Sequence, residues 1–355
     1  MKHSTLTAYV QQLQKHLQWD PRQGEEGHEK QGFVEALTEL AALPLDSISM
    51  EIRRLLVAST SVAITQQSLS TTVNTHAVAA NEIGSLHIHH VIAALSARDV
   101  LLKCKAANAV GSLCISRVAG QQLLDLYGDD ILKSVAKMAT RKNQWVQGDA
   151  FYVLGWIVVI ADKAMLISIA DLLPTVIKCL HRNIKLPLET EDEAGDDKET
   201  SDIAARRSKV ALASSEQASN FRVYALVLLL NFSQRHIHVF ESHLERLLPM
   251  LKDLVVKLLE SVPTEDESTT ASMMTFFDAS EYAEVLRLTV ALLTILADEL
   301  DSVPLQLLEL KALPLIIKLK RVLNSPQVRQ LVDETDSQDI AERLKAVVET
   351  LLKCR

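Results

Sequence analysis

Two stretches of this sequence decide its fold: KAANAVGSLC at residues 105–114 and DAFYVLGWIV at residues 149–158. The second begins 44 residues after the first, and this offset aligns Gly111 with Gly155. Both stretches have apolar residues at the i, i+3, i+4 and i+7 spacing of an amphipathic helix. A helix that recurs with a period of about 40 residues indicates a stack of structural repeats.

Further matches extend the repeat along the chain. DDILKSVAKM (129–138) and ADLLPTVIKC (170–179) share the pattern D-[IL]-L-x-[ST]-V-x-K and are offset by 41 residues. The long-helix pattern recurs as FRVYALVLLLNFS (221–233) and LRLTVALLTILA (286–297). Only 10 glycines, 9 prolines and 4% aromatic residues occur in 355 residues, a composition that favours helices over strands.

The order of the helices resembles the armadillo repeat. In that family a short helix, a turn and a second helix precede a long third helix with a stripe of small residues, and KALPLIIKLK (311–320) is the best match to the second helix. Asn231 stands where the family often has an asparagine near the end of its third helix. The resemblance implies an all-α, right-handed solenoid of about five repeats with helical caps. HEAT repeats, which have two helices per unit, share the period and remain the alternative.

This resemblance predicts how the chain is divided. The expected parts are N-terminal capping helices (1–44), repeats one to three (45–183), an acidic disordered insertion (184–216), repeats four and five (217–325) with a flexible insertion (261–278), and a C-terminal capping helix (326–355). Within the caps, the spacing predicts helices at 4–19, near 31–42 and at 341–354, the last capped by Asp336 or Ser337.

Charge and apolar patterning limit the classes of partner. The net charge is −8, and ETEDEAGDDKETSD (189–202) alone carries eight acids and one lysine. The nearly neutral remainder predicts no direct binding of nucleic acid or of an anionic membrane. No apolar run approaches the roughly 20 residues of a membrane helix, so we expect a protein that does not enter a membrane.

The cysteine pattern indicates a reducing compartment. All four cysteines lie in apolar helical patterns without a CxxC pair, so we interpret them as reduced core residues of a protein located in the cytoplasm, the nucleus or both.

Motifs for catalysis and metal binding are lacking. The sequence has no phosphate loop, dinucleotide fingerprint, zincin or hydrolase motif, so we expect neither an enzyme nor a cofactor. LHIHH (86–90) would place His87 and His90 on one helical face and His89 on another, with no carboxylate to complete a ligand set, and no metal site is predicted.

The resemblance implies a binding site, because armadillo third helices line a concave groove. The residues predicted to bind a partner all lie on third helices: Lys105, Asn108, Ser112, Asp149, Tyr152, Trp156, Tyr224 and Asn231. Trp156 has two interpretations, a filler of the core between repeats or a flat platform in the groove. Importin-type members carry arrays of tryptophan and asparagine, which this chain matches only at Asn231, so a basic import signal is not the expected ligand.

These features predict a non-enzymatic scaffold or adaptor, monomeric on its own, whose groove binds an extended peptide or a helix of another protein. The resemblance also allows an alternative function, in which the protein wraps around a folded client protein. Examples are a co-chaperone of the seventy-kilodalton heat-shock proteins and a regulator of small GTPases. Self-assembly through the terminal helices is a third alternative. Thr190 and Thr264 precede acidic residues and are predicted phosphorylation sites that would tune binding.

Overall fold

The computed structural model describes five stretches of the chain: residues 3–22, 27–70, 87–185, 220–262 and 276–354. Within these stretches the ordered elements are helices and no strand occurs, which confirms the predicted all-α class. The chain divides into two compact units, Met1–Ile169 and Ala170–Arg355. The finer boundaries between repeats, insertions and caps remain a prediction.

The first unit consists of helices in two layers. Its described helices are α1 (His3–His16), α2 (His28–Ala41), α3 (Ser47–Ser70), α4 (Ile88–Ala94), α5 (Val100–Ile115), α6 (Arg117–Ala139) and α7 (Gln144–Ile160). In one layer α2 packs against α5 and α5 packs against α7, while α3 packs against α6 in the other. The capping helix α2 therefore covers the apolar side of α5 in the same way that α7 covers the opposite side.

Helices in the second unit pack in the same manner. Helix α8 (Lys163–Ala170) lies at the division between the units, and the helices that follow are α9 (Leu173–Lys185), α10 (220–236), α11 (Leu244–Glu260), α12 (Ala279–Glu299), α13 (Ser302–Glu309), α14 (Ala312–Val322), α15 (Pro326–Arg329) and α16 (Glu334–Lys353). Helices α9, α11 and α14 pack in succession, and α12 packs against the terminal helix α16. The long third helix and the short second helix thus occupy separate layers.

Three predicted helix boundaries are wrong. Helix α1 ends at His16, three residues before the predicted end. Helix α6 is continuous over 23 residues, where a short first helix, a turn and a second helix were expected. The last helix begins at Glu334 because the carboxylate of Asp333 accepts a hydrogen bond from the backbone N–H of Asp336 at 2.9 Å, so neither Asp336 nor Ser337 is its cap.

The third helices α5, α7 and α12 each begin at a capping side chain. The Asp99 carboxylate accepts from the N–H groups of Leu101 at 3.0 Å and Leu102 at 3.2 Å at the start of α5. Asn143 Oδ1 accepts from Trp145 N at 2.9 Å in α7, and Asp278 caps α12 in the same way. Such caps satisfy backbone donors that would otherwise lack partners, and they fix where each third helix begins.

The stretch DAFYVLGWIV forms the centre of the first unit. Ala150, Val153, Leu154, Ile157 and Val158 are fully buried, as their spacing predicts.

Gly111 of α5 provides space for the neighbouring helix. A β-carbon at Gly111 would lie 2.2 Å from Tyr152 Cε1 and 2.6 Å from Tyr152 Cδ1. The Tyr152 ring of α7 therefore occupies the space that any larger residue at 111 would need, and this contact explains the glycine despite its cost of about 1 kcal/mol within a helix.

The cysteines agree with the prediction in part. Cys104, Cys114 and Cys179 are buried, but Cys354 follows the last turn of α16 and is exposed, so it is not a core residue. All four are free thiols.

None of the individual helices in the described stretches has the length and apolar composition needed to cross a bilayer; taken together, the bent pair α8 and α9 meets those two criteria.

A buried ion pair joins three helices of the second unit. Arg222 of α10 donates to both carboxylate oxygens of Glu281 of α12, at 2.5 and 2.8 Å, and to Asn183 Oδ1 of α9 at 2.9 Å. Its guanidinium carbon lies 4.6 Å from the ring centroid of Phe276. Burial raises the pKa of Glu281, and the two bonds from Arg222 oppose that rise. Because Arg222 and Glu281 begin successive third helices, the pair fixes the register of one repeat on the next.

We expect the Gly111→Ala substitution to lower the free energy of unfolding by about 2 kcal/mol, because the added methyl overlaps the Tyr152 ring. Urea denaturation followed by circular dichroism measures the change. Gly27→Ala is the matched control, since a β-carbon at Gly27 meets no atom within 4 Å. The double variant Gly111→Ala/Tyr152→Ala should lose less stability than the sum of the two single variants, and strict additivity would contradict the contact.

The Glu281→Gln substitution should cost about 3 kcal/mol of unfolding free energy near pH 8, because it leaves the Arg222 cation buried without its counter-charge. The control is Glu284→Gln on the same helix, whose pair with Arg287 is 37–45% exposed. That control should cost less than about 1 kcal/mol. Equal losses in the two variants, measured by thermal and urea denaturation, would show that burial of the pair is unimportant.

Candidate functional site

The candidate site is one face of the third helices α5 and α7, which we call the third-helix face. Its residues follow one another at spacings of four, three and four: Leu101, Lys105, Asn108 and Ser112 on α5, and Trp145, Asp149, Tyr152 and Trp156 on α7. This spacing keeps side chains on one side of a helix. Six of the eight are half-buried, while Leu101 is 59% exposed and Ser112 is fully buried.

Two members of this face are absent from the sequence prediction. Leu101 lies one turn before Lys105, and Trp145 lies one turn before Asp149. The offset of 44 residues that aligns Gly111 with Gly155 also aligns Leu101 with Trp145. The repeat alignment therefore contained the signal for both.

Asp149 of α7 is hydrogen-bonded to α5. Asn108 Nδ2 donates to Asp149 Oδ1 at 3.1 Å and to the carbonyl of Cys104 at 3.0 Å. Burial raises the pKa of Asp149 from 3.8 to about 6, against the hydrogen bonds from Cys104 and Asn108 and the charge of Lys105. Burial, followed by the charge of Asp149, raises the pKa of the Cys104 thiol. Asp149 and Asn108 thus bind each other, and both are half-buried.

Ser112 does not line an open groove. Its hydroxyl donates to the Leu40 carbonyl at 2.7 Å and accepts from Arg53 Nη2 at 3.1 Å. Arg53 of α3 is itself fully buried and donates to the carbonyls of Leu43 at 2.8 Å and Pro44 at 3.0 Å. Ser112 therefore joins α5 to the end of α2, and its hydroxyl is not available to a partner in this structure.

Tyr152 and Trp156 lie one turn apart on α7, and the Tyr152 ring lies over Gly111. Burial raises the pKa of Tyr152, while the nearby indole N–H of Trp156 and the charge of Arg53 oppose that rise. Trp156 is half-buried, so part of its side chain is packed and part is accessible to solvent. Both interpretations of this residue, packing and platform, are compatible with that position.

In the second unit, Tyr224 and Asn231 are both half-buried on α10. They are seven residues apart, which places them on the same side of the helix. The structure therefore brings together the two predicted residues of this unit, as it brings together those of α5 and α7 in the first.

The histidines near the start of α4 form a cluster in which His89 lies against His90, with ring centroids 4.0 Å apart. The expectation that His89 points elsewhere is therefore wrong, while His87 and His90 lie near each other as expected, with ring centroids 5.9 Å apart. His90 Nδ1 lies 3.1 Å from the Leu17 carbonyl oxygen, and burial lowers the pKa of His89 to about 4. Over the described ranges no three potential metal ligands come together.

The predicted phosphorylation sites Thr190 and Thr264 both lie outside the described residues.

Comparison with known proteins identifies the architecture. No protein-family model matches the chain, and no curated protein matches it in sequence. Among solved structures, computationally designed armadillo repeat proteins for modular peptide recognition are 13% identical, with a TM-score of 0.50 over 96% of this chain and 99% of the other. Another designed armadillo repeat protein is 14% identical, with a TM-score of 0.46 over 90% and 99%. A third, in complex with the peptide (KR)4, is 15% identical, with a TM-score of 0.44 over 89% and 99%.

The likeness to the first of these structures shows the fold: an all-α, armadillo-type solenoid. Because the identity is low, the likeness concerns the backbone arrangement and not the residues of a binding site.

The raised pKa of Asp149 predicts a pH-dependent effect of the Asp149→Asn substitution. Between about pH 4 and pH 6 the folded protein binds more protons than the unfolded chain, so the contribution of Asp149 to the unfolding free energy falls as pH rises. The variant lacks this titration. Its stability relative to the wild type should therefore increase by about 2 kcal/mol from pH 4 to pH 7.

Urea denaturation at several pH values measures this difference. The exposed Asp130→Asn variant of α6 serves as the control for the change in charge alone. A difference between wild type and Asp149→Asn that does not change with pH would contradict the buried position of the carboxyl group.

Proposed function

We propose that this chain is a non-catalytic protein-binding scaffold, and that the third-helix face of α5 and α7 binds an extended peptide segment of a partner protein. The observation that carries the proposal is the composition of this face. Half-buried tryptophan, tyrosine, asparagine, aspartate and lysine side chains follow one another along two packed third helices.

Rigidity supports a binding role for this face. The Asn108–Asp149 hydrogen bond and the Tyr152–Gly111 contact hold these side chains in place before any ligand arrives. Aromatic groups held in this way concentrate binding energy because they lose little conformational freedom on binding. The designed protein with a TM-score of 0.50 is described as made for modular peptide recognition, which agrees with a peptide ligand.

The face also indicates which peptides fit. Trp145 and Trp156, about three turns apart on α7, and the exposed Leu101 of α5 offer apolar contacts. Lys105 and the outer edges of Asn108 and Asp149 lie between them and can bond to a peptide backbone. We therefore expect an extended segment with two or three apolar side chains separated by polar residues.

Selection from a phage-displayed peptide library on the full chain tests the proposal. The selected peptide is then labelled with fluorescein, and its affinity is measured by fluorescence anisotropy. The Leu101→Ala/Trp156→Ala double variant should weaken binding by about 30-fold, which corresponds to about 2 kcal/mol. Tyr152 is left unchanged because its ring also packs against Gly111.

A second double variant controls for the loss of apolar surface. Val118 on α6 and Ile167 on α8 are each 54% exposed and lie outside the third-helix face. Val118→Ala/Ile167→Ala should bind the peptide with wild-type affinity. If both double variants bind equally well while circular dichroism shows both folded, the peptide does not bind the third-helix face and the proposal fails.

A further inference from the structure

A basic cleft lies beside the turns that lead into α5 and α7. It has a volume of about 400 Å3 and is lined by Ser96, Ala97, Arg98, Val100, Lys103, residues 141–143 and Val146. A smaller depression of about 150 Å3 adjoins it and shares Ser96, Lys103 and Arg141 with it. None of these residues belongs to the third-helix face.

The lining of the two depressions carries five cations and no carboxylate: Arg98, Lys103, Lys137, Arg141 and Lys142. Lys103 is half-buried and the other four are exposed. Across the described part of the chain, none of the five forms an ion pair. Five unpaired cations around one concave surface attract a ligand with several negative charges.

The carboxylate of Asp99, which stands between the lining residues Arg98 and Val100 in the sequence, does not neutralise this cleft. Asp99 is engaged by Lys30, whose Nζ lies 3.2 Å from Asp99 Oδ2, and by the backbone N–H groups that begin α5. The first turns of α5 and α7 also contribute to the lining through Val100 and Val146, so the positive ends of two helix dipoles add to the field of the side chains.

The shape and surroundings of the cleft favour a short acidic peptide over a long polyanion. Val100, which is 38% exposed, and the buried Val146 provide an apolar floor that a nucleic-acid backbone could not use. A polyanion that followed α6 away from the cleft would meet the exposed carboxylates of Asp125, Asp129 and Asp130. The positive charge that an acidic ligand needs is therefore confined to the small area around the cleft.

We propose that this basic cleft binds a short acidic segment of a protein, with carboxylates on the surrounding lysine and arginine side chains and an apolar side chain on the floor. It is a second binding surface, separate from the third-helix face. The proposal therefore does not depend on the proposed function, and the two can fail independently.

The test uses a fluorescein-labelled peptide copied from residues 186–202, LPLETEDEAGDDKETSD, which combines apolar and acidic residues. Fluorescence anisotropy measures its affinity for the full chain. A second full-length protein, in which the eight acidic residues of 189–202 are changed to Asn or Gln, removes any competition from the chain's own segment. Tighter binding to this protein than to the wild type identifies that segment as one natural occupant and supports the proposal.

The Arg141→Glu/Lys142→Glu double variant, made in both proteins, should bind the peptide at least about tenfold more weakly. Its matched control is Lys133→Glu/Lys163→Glu, which reverses two exposed charges of the same unit outside the cleft and should change the affinity less than about twofold.

A peptide with Gln and Asn in place of its acids should not bind, and raising the salt from about 50 to about 300 mM should weaken binding of the acidic peptide. Thermal denaturation checks that both variants remain folded.

Two outcomes would overturn the proposal. In the first, the peptide does not bind either protein, or the cleft variant and its control bind it equally. In the second, fluorescein-labelled oligo(A) RNA binds more tightly than the peptide and its binding is lost in the cleft variant, which would assign the cleft to nucleic acid.

The affinity of the phage-selected peptide for the third-helix face should be the same in the cleft variant and in its control.

Discussion

The contact between Gly111 and the Tyr152 ring determines how closely two successive third helices approach. A helix pair can pack this closely only where one member lacks a side chain, because the ring needs the space of a β-carbon. Once α5 and α7 lie together, Asn108 reaches Asp149, and the layer that also contains α2 can bury its apolar side chains. The packing of the first unit and the geometry of its candidate site thus depend on the same interaction.

In the second unit, an ion pair and not a glycine contact joins two successive third helices. There the starts of two third helices are joined by the buried Arg222–Glu281 pair, with Asn183 of α9 as a third member. A buried ion pair is sensitive to geometry, because its charges lose their water and must recover the energy from each other. It therefore specifies the register of neighbouring repeats more strictly than apolar packing does.

Some polar side chains between the third helices can also contact a ligand, while others are used only inside the protein. Asp149 and Asn108 use part of their hydrogen-bonding capacity to join α5 and α7, and both remain only half-buried. Ser112 uses its hydroxyl entirely inside the protein. The same stripe of sequence therefore contains residues that can contact a ligand and residues that cannot. The basic cleft at the start of these helices adds a second surface, which is positively charged.

The sequence by itself determined the helical class, the repeat and the buried stripe of the third helices, because helical periodicity follows from the spacing of apolar residues. It also indicated that Gly111 permits a close approach, since a glycine within a helix needs a compensating contact. It could not show that Tyr152 fills that space or that Ser112 is covered by Arg53. Those outcomes depend on residues up to 59 positions apart, and only tertiary packing decides which of them meet. The choice of Asp333 over Asp336 as the cap of the last helix is local, but the apolar spacing alone did not resolve it. The basic cleft is a further case, since its cations come from two turns and two helices that become neighbours only when the repeats stack.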